Sequence, residues 1–394
     1  MPQRGRSWAT SRSDWCDGRC WRWASARWSP PSSGWEKAPT YRADAATGGN
    51  CAAPTCDERR QVSTVAVIGA GVVGQRVARQ LAAVPDVDRL ILGSRHPARL
   101  RALAAQLLDT DVEAVTPGRL PDADVVVLSL PAGDHAALAA QALSRGAHVV
   151  SLSESTSDTE DLLRLDRAAV DAERSVVIGA GFSPGLSCLL ARHGSAKFDD
   201  LTEIHITRVG TAGPACQRQL HRARTGVAVD WRQDLDPVDG WQNRRGGSGR
   251  QLVWFPEPLG PRDCYRAALS DALLLTPAFP GVERVTARVA GTRRDRLTAM
   301  LPMLRRPHAD GGPGAIRVEL RGYVDGQYRC EILGAIDNLG AAAAATAALA
   351  AQWALAGDLP AGAFGLGMLD DPLRWLTELA ERGVRAATYE GVLA

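Results

Sequence analysis

The stretch that most constrains this chain runs from Val65 to Arg95, where a strand, a glycine turn, a helix and a second strand follow one another without a gap. Val65-Ala-Val-Ile68 is a short, partly β-branched apolar run of the kind buried in a parallel sheet. Gly69-Ala70-Gly71-Val72-Val73-Gly74 comes next and opens an amphipathic helix expected to reach Ala83. Each glycine of such a turn answers a steric demand. Gly69 permits the tight turn, Gly71 lets backbone approach a pyrophosphate, and Gly74 lets the helix pack close to the strand. The first N–H groups of the helix, at Val72 and Val73, and its positive dipole end then face the phosphates. Glycine-rich turns are common. The strand before, the helix after and the strand Arg89–Leu92 that closes a βαβ unit make this one a dinucleotide site.

The end of that second strand bears on which dinucleotide. A site for NAD places Asp or Glu about 20 residues on, against the ribose 2′-hydroxyl. Here the position falls on Ser94, within Gly93-Ser94-Arg95-His96, and no carboxylate is present. Ser94 can hydrogen-bond a 2′-phosphate and Arg95 can pair with it as a planar, permanently charged fork. The expected cofactor is NADP, with NAD as the second choice.

With 394 residues there is room for two or three domains and a substantial core. A net charge of +2 gives no sign of a nucleic-acid partner or a membrane-surface protein. No apolar stretch reaches the ~20 residues of a membrane span; the most apolar long segment, Ala341–Leu355, is alanine-dominated and shorter. Cys188, Cys216, Cys264 and Cys330 are scattered, one per element, as buried thiols in a reducing compartment would be, so a cytoplasmic location is expected.

Residues 1–60 do not share this organisation. They hold six of the eleven tryptophans and carry +4 (ten basic, six acidic), against −2 (36 basic, 38 acidic) for the remainder. They show neither helical nor strand periodicity, nor the apolar core of a secretory signal. Cys16-x3-Cys20 and Cys51-x4-Cys56 have loose zinc spacing but no fold to hold a metal, and no metal site is expected. The segment is expected to be disordered or foreign to the natural protein, with translation starting near Val62.

From 62 onward strands and helices alternate. Helices are expected over 98–108, 134–144 and 159–172, and strands near Val112–Val115 and at Val125–Leu128, His148–Leu152 and Ser175–Ile178. Such alternation gives a doubly wound parallel sheet by the right-handed crossover rule. The central strand Val125–Leu128 ends in Ser129-Leu130-Pro131-Ala132-Gly133, a loop at the carboxyl edge where cofactor and substrate bind in such sheets, so Leu130 and Pro131 are candidate cofactor contacts. Gly179-Ala-Gly181-Phe-Ser183-Pro184-Gly185 then opens a helix, with Ser183 as the expected N-cap and Pro184 in the first turn.

Over 62–394, and most closely over 62–195, the chain resembles the saccharopine dehydrogenase-like family of NAD(P)-binding oxidoreductases. The resemblance rests on the GAGVVG turn, the apolar strand with its Pro-Gly loop at 125–133, the GFSPGL turn at 181–186 and the C-terminal return. It implies an α/β fold with a Rossmann-type domain at 62–195, an inserted α+β domain with an antiparallel sheet at 196–336, and C-terminal helices at 337–394 returning to the first domain. In the insert, strands are expected at Leu201–Arg208, Gln251–Phe255 and Val282–Val289, with a hairpin turning at Asp325-Gly326 and helices near 264–275 and 293–304. The inserted sheet is where a homodimer would form. Relatives often carry Asp where this chain has Ser151, so no catalytic residue is carried over.

Proton-handling candidates are His135 and Glu154 at the carboxyl edge and His193 near the GFSPG helix. Lys197 is the only lysine past residue 60. Where sugar-type oxidoreductases carry Glu-Lys-Pro, this chain reads Leu152-Ser153-Glu154-Ser155. Arg208, His221 and Arg222 are candidate anchors for a substrate carboxylate, since arginine pairs with carboxylates bidentately. The expected activity is an NADP-dependent oxidoreductase acting on a C–N or C–O centre of a small carboxylated substrate. The alternative, kept open by Ser151, is a non-catalytic NAD(P)-binding redox sensor or scaffold.

Overall fold

The computed structural model describes residues 62–107, 111–115, 120–233, 235, 240–303 and 306–389. The segment 1–60, with Cys16, Cys20, Cys51 and Cys56, lies outside the described residues. Two sheets carry the fold. The first is built from β1 (Thr64–Ile68), β2 (Arg89–Gly93), β3 (Asp111–Val115), β4 (Val125–Leu128), β5 (His148–Ser151) and β6 (Ser175–Ile178). Between them run α1 (Val72–Ala82), α2 (Pro97–Ala104), α3 (His135–Leu143), α4 (Thr156–Leu163) and α5 (Asp166–Asp171). Every pairing is parallel. The strand order 6-5-4-1-2-3 reverses direction between β1 and β4, the crevice where doubly wound sheets bind ligands. β4 and β6 are buried at every residue, as continuous Val/Ile/Leu runs in a sheet covered on both faces must be.

After α6 (Leu186–Ser195) comes a nine-stranded sheet. It comprises β7 (Asp200–Val209), β8 (Val227–Arg232), β9 (Trp241–Arg245), β10 (Gln251–Trp254), β11 (Pro261–Arg266), β12 (Arg284–Ala290), β13 (Pro313–Val324), β14 (Gln327–Asn338) and a last strand from the C-terminal tail. Helices α7 (Pro214–Ala223), α8 (Asp271–Leu275) and α9 (Arg293–Thr298) lie in its connections. Period-2 alternation sends Ile204, Ile206, Ile316, Val318 and Leu320 to a buried face that packs on α6. Arg208, also fully buried, breaks that apolar run.

The chain then returns. The helix α10 (Leu339–Leu355) is buried almost all round and packs on α1, β4 and β5 while touching β13 and β14. Its alanines let these neighbours approach closely, and Asn338 caps it by accepting from the N–H groups of Gly340 and Ala341 at 3.1 and 3.2 Å. A short strand, β15 (Gly362–Gly365), joins β6 in parallel as the seventh strand of the first sheet. The helix α11 (Pro372–Glu381) packs on α6 and α10, and β16 (Ala386–Tyr389) pairs with β14. The C-terminal return thus contributes a strand to each sheet as well as helices.

Four details depart from the sequence expectation. The second sheet is mixed, because β12 runs parallel to β7. Residues 264–266, expected in a helix, belong to β11, so the helix there is only Asp271–Leu275. The expected helix over 159–172 is two, α4 and α5, separated at Arg164 and Leu165. Ser183 does not cap α6: Gly185 occupies that position, while the Ser183 hydroxyl donates to Asp271 at 2.9 Å.

On the outer face of the second sheet Glu319, 4% exposed, is flanked by Arg317 and Arg321, with Arg321 Nε 2.7 Å from Oε1. Burial alone would raise its carboxyl, but the two guanidinium charges outweigh burial and hold it at about 2, against an ordinary 4.5. That difference is about 3 kcal/mol favouring the folded carboxylate. A depressed acid contributes stability that is complete above its unfolded value and lost as pH falls through the folded one. Glu319→Gln should therefore cost about 3 kcal/mol at pH 7, the gap closing between about pH 5 and pH 2. Denaturant unfolding of both proteins across that range checks it.

Candidate functional site at the carboxyl edge of the first sheet

The turn after β1 interlocks through two glycines. Gly69 has φ +114°, a conformation that favours glycine, and donates its N–H to the Gly93 carbonyl at 2.7 Å. A Cβ on Gly74 would lie 1.8 Å from the Gly69 carbonyl oxygen, so helix and turn can meet only without one. Gly71, by contrast, has no atom within 4 Å of where its Cβ would be. The backbone beneath that open space carries the N–H groups of Val72 and Val73, which have no helical partner at this end. The cradle fits a pyrophosphate in space and in charge. At the end of β2, Arg95 is exposed with no ion pair among the described residues, and the Ser94 hydroxyl accepts from the His96 N–H at 3.2 Å. Both lie beside the turn through the β1–β2 pairing, where an adenosine ribose would project.

On the other side of the strand-order reversal, Leu130 and Pro131 follow β4, part-exposed and exposed respectively. His135 lies beneath them, 0% exposed, with Nδ1 2.9 Å from Ser151 Oγ and Nε2 3.2 Å from the Leu130 carbonyl. Burial pushes its imidazole below 6.5 against the pull of Asp158. Both ring nitrogens are engaged inside the protein, so His135 is no acid or base for a substrate. Ser151 is equally enclosed.

The Glu154 carboxylate follows β5 and is ion-paired with Arg208 of β7, Nη1 to Oε2 at 3.1 Å. Arg208 also donates to the Ser183 carbonyl at 2.6 Å and approaches Cys216 Sγ at 3.6 Å. Burial alone would lower the guanidinium; the charges of Glu154, Cys216 and Asp271 reverse that and raise it. Asp271, fully buried, is raised by burial although it accepts from Ser187 at 2.7 Å and from Ser183. Cys216 lies 3.3 Å from Glu154 Oε1, and burial with that carboxylate pushes its thiol up to about 12. In this cluster Glu154 keeps 17% of its side chain exposed and Arg208 none.

The structure thus gathers the glycine turn, Ser94, Arg95, Leu130, Pro131, His135 and Glu154 at one sheet edge. Its geometry does not suit Arg208, His221 and Arg222 as substrate anchors, nor His135 and His193 as proton-transfer groups. Arg208 is fully buried, with both Nη groups turned to Glu154 and the Ser183 carbonyl, so it is closed off from a substrate carboxylate. His221 is at the far end of α7, bonded to the Leu301 carbonyl at 2.8 Å, with the exposed Arg222 beside it. The start of α7, not its end, is near the nucleotide turn, since a Cβ on Gly213 would meet Val72 at 3.1 Å. His193 is in the last turn of α6, about 10 Å along the helix from the sheet edge, where the charges it feels are Lys197 and Glu331. Sequence reasoning missed Ser153, Asp158, Ser183, Asp271 and Cys216. The serine run 151–157 was a linear hint of the first two, and the GFSPGL turn of Ser183.

Residues 64–169 match the family model described as semialdehyde dehydrogenase, NAD binding domain. Apo saccharopine dehydrogenase (L-Glu forming) from Saccharomyces cerevisiae superposes with a TM-score of 0.61 at 15% identity, over 83% of this chain and 100% of that one. The chain has the fold of saccharopine dehydrogenase. Diaminopimelate (DAP) dehydrogenase from C. glutamicum, in complex with DAP, matches at a TM-score of 0.41 and 18% identity, over 80% of this chain and 98% of that one. A myo-inositol dehydrogenase from Corynebacterium glutamicum matches at 0.42 and 14%, over 84% and 100%. In this saccharopine dehydrogenase fold the matched domain is the NAD(P)-binding one, and it holds the whole nucleotide edge described above.

The open space at Gly71 makes a clean test. A Cβ at Gly71 meets no neighbour within 4 Å and the residue has φ −78°, so Gly71→Asp should keep the melting temperature of the fold. The carboxylate would fill the phosphate approach and repel it, and nucleotide affinity should fall at least a hundredfold. Calorimetric titration beside thermal unfolding checks both halves.

Proposed function

We propose that the protein is an NADP-dependent oxidoreductase acting at a C–N centre of a small substrate. The observation that carries this is the Glu154 carboxylate, part-exposed and paired with Arg208, on the same sheet edge as the open glycine turn. The N–H groups of Val72 and Val73 would hold the pyrophosphate, Ser94 and Arg95 the 2′-phosphate, and Leu130 with Pro131 would flank the nicotinamide half. The nicotinamide, when bound, supplies or accepts a hydride.

An amine carbon that gives up a hydride leaves positive charge on its nitrogen. Glu154 would offset that charge electrostatically. Reduction of a carbonyl would need a proton delivered to oxygen, and the groups at this edge do not favour it. His135 has both nitrogens engaged and Cys216 holds its proton up to about 12. The reading of a carboxylated substrate loses Arg208, His221 and Arg222 as anchors.

The redox-sensor alternative finds no support in the thiols. Burial pushes Cys188 and Cys264 up to about 12 and Cys330 to about 11, far from the thiolate a sensor needs. All four described cysteines are free, which suits a reducing compartment such as the cytoplasm. Among the described residues no helix is long and apolar enough to cross a membrane.

Two measurements test the proposal. Absorbance at 340 nm with the oxidised cofactor should report turnover on amines and none on the matching alcohols; the reverse pattern overturns the C–N assignment. A charge-assisted contact is worth about 1.5–3 kcal/mol, roughly a ten- to hundredfold preference for NADP(H). Arg95→Ala should remove that preference by weakening NADP(H) alone. Equal weakening of NAD(H) would show that Arg95 does not read the 2′-phosphate.

A further inference from the structure

The loop Leu130–Gly133 leaves the sheet edge between β4 and α3, with Pro131, Ala132 and Gly133 exposed. An exposed loop of this kind usually has little to hold it, yet both of its ends are tied to buried side chains. At one end the Leu130 carbonyl lies 3.2 Å from His135 Nε2. A carbonyl only accepts, so Nε2 carries the proton and Nδ1 is the bare nitrogen. Nδ1 must then accept from the Ser151 hydroxyl, 2.9 Å away. Ser151 Oγ accepts in turn from the Ser153 N–H at 3.3 Å. The Ser153 hydroxyl donates to Asp158 at 2.6 Å. Asp158 closes the circuit at the other end of the loop, accepting from the Gly133 N–H at 3.1 and 3.2 Å.

With a carbonyl at one end, a carboxylate at the other and backbone N–H donors between, every direction in the circuit is set, so it specifies one tautomer of His135 and ties both ends of the loop. His135, Ser151, Ser153 and Asp158 are each 3% exposed or less. Burying four polar side chains is costly unless they are paired, and apolar side chains would fill the same volume at less cost. What the polar set adds is a fixed position for two backbone groups, the Leu130 carbonyl and the Gly133 N–H. The strand order puts this loop on the half of the crevice opposite Ser94 and Arg95, which is the nicotinamide half of a dinucleotide laid across the turn.

We propose that His135 and Asp158 are positioning residues that hold the Leu130–Gly133 loop as a preformed rest for the nicotinamide half of the dinucleotide. The proposal rests on the reading of this edge as a nucleotide site. It assigns these side chains neither proton transfer nor contact with substrate. Preformation means that binding does not have to order the loop, so its loss appears in affinity.

The test compares the full-length chain with His135→Leu, His135→Gln and the milder Ser151→Ala. Two ligands are titrated: NADPH, and 2′-phospho-ADP-ribose, which lacks the nicotinamide. Amide hydrogen exchange over Leu130–Gly133 is followed with no nucleotide present. His135→Leu should speed exchange in the loop and weaken NADPH about tenfold, while 2′-phospho-ADP-ribose stays within twofold. His135→Gln offers an amide N–H and an amide oxygen and should recover most of the affinity. Ser151→Ala should fall between them, and it keeps the test alive if His135→Leu does not fold. Equal weakening of both ligands, or faster loop exchange with unchanged NADPH affinity, overturns the positioning role. If the unmodified chain binds neither ligand, the nucleotide reading itself fails and this inference with it.

Discussion

A buried cation links the two sheets of this protein. Arg208 projects from β7 in the second sheet into the turns that follow β5 and β6 in the first, where it meets Glu154 and the Ser183 carbonyl. Removing a guanidinium from water is expensive, and only close, well-directed partners offset it. Removing one partner would leave a buried charge uncompensated, typically at about 3–5 kcal/mol. Glu154 therefore belongs to the junction and to the cleft at once. Its charge faces the site because the second sheet holds it there. The same arrangement takes Arg208 away from the substrate role that its chemistry suggests in isolation.

Around that junction the fold works by close backbone approach. Gly69 and Gly74 let the first helix start against its own turn, and Gly71 leaves the space above it open. The alanine-rich α10 lies against α1, β4 and β5 on one side and the hairpin β13–β14 on another. A cavity of about 760 Å³ does exist elsewhere, lined by Arg79, Gln80, Gln352 and Arg382 among others, near the opposite end of α1. It is removed from the glycine turn, so the candidate site is identified by its chemistry and by the strand reversal, not by its volume.

Much of the first sheet was legible in the chain because buried parallel strands are short, continuous apolar runs, as at Val125–Leu128 and Ser175–Ile178. The glycine turn was legible because its function is a property of the backbone, which glycine spacing encodes directly. Gly362–Gly365 was not, since two glycines in four residues carry no strand signal until β6 offers its edge. The second sheet's polar strands Val227–Arg232 and Trp241–Arg245 hide for a similar reason. The parallel pairing of β12 with β7 depends on which distant strand is the neighbour. The site followed the same divide. His135 and Glu154 could be placed at the edge from strand ends alone. Their partners, Leu130, Ser151 and Arg208, are chosen by three-dimensional packing, and those partners decide that His135 is a support and that Arg208 is not an anchor.

The central claim is that a dinucleotide crosses the first sheet at the β1–β4 reversal with its nicotinamide toward Glu154. A crystal structure of the full chain with NADPH tests it directly. The pyrophosphate should lie on the N–H groups of Val72 and Val73, the 2′-phosphate at Ser94 and Arg95, and the nicotinamide against Leu130 and Pro131 on the Glu154 side. A nucleotide bound in the cavity beside Gln80 and Arg382, or lying across the turn with its nicotinamide at β2 and β3, would contradict it.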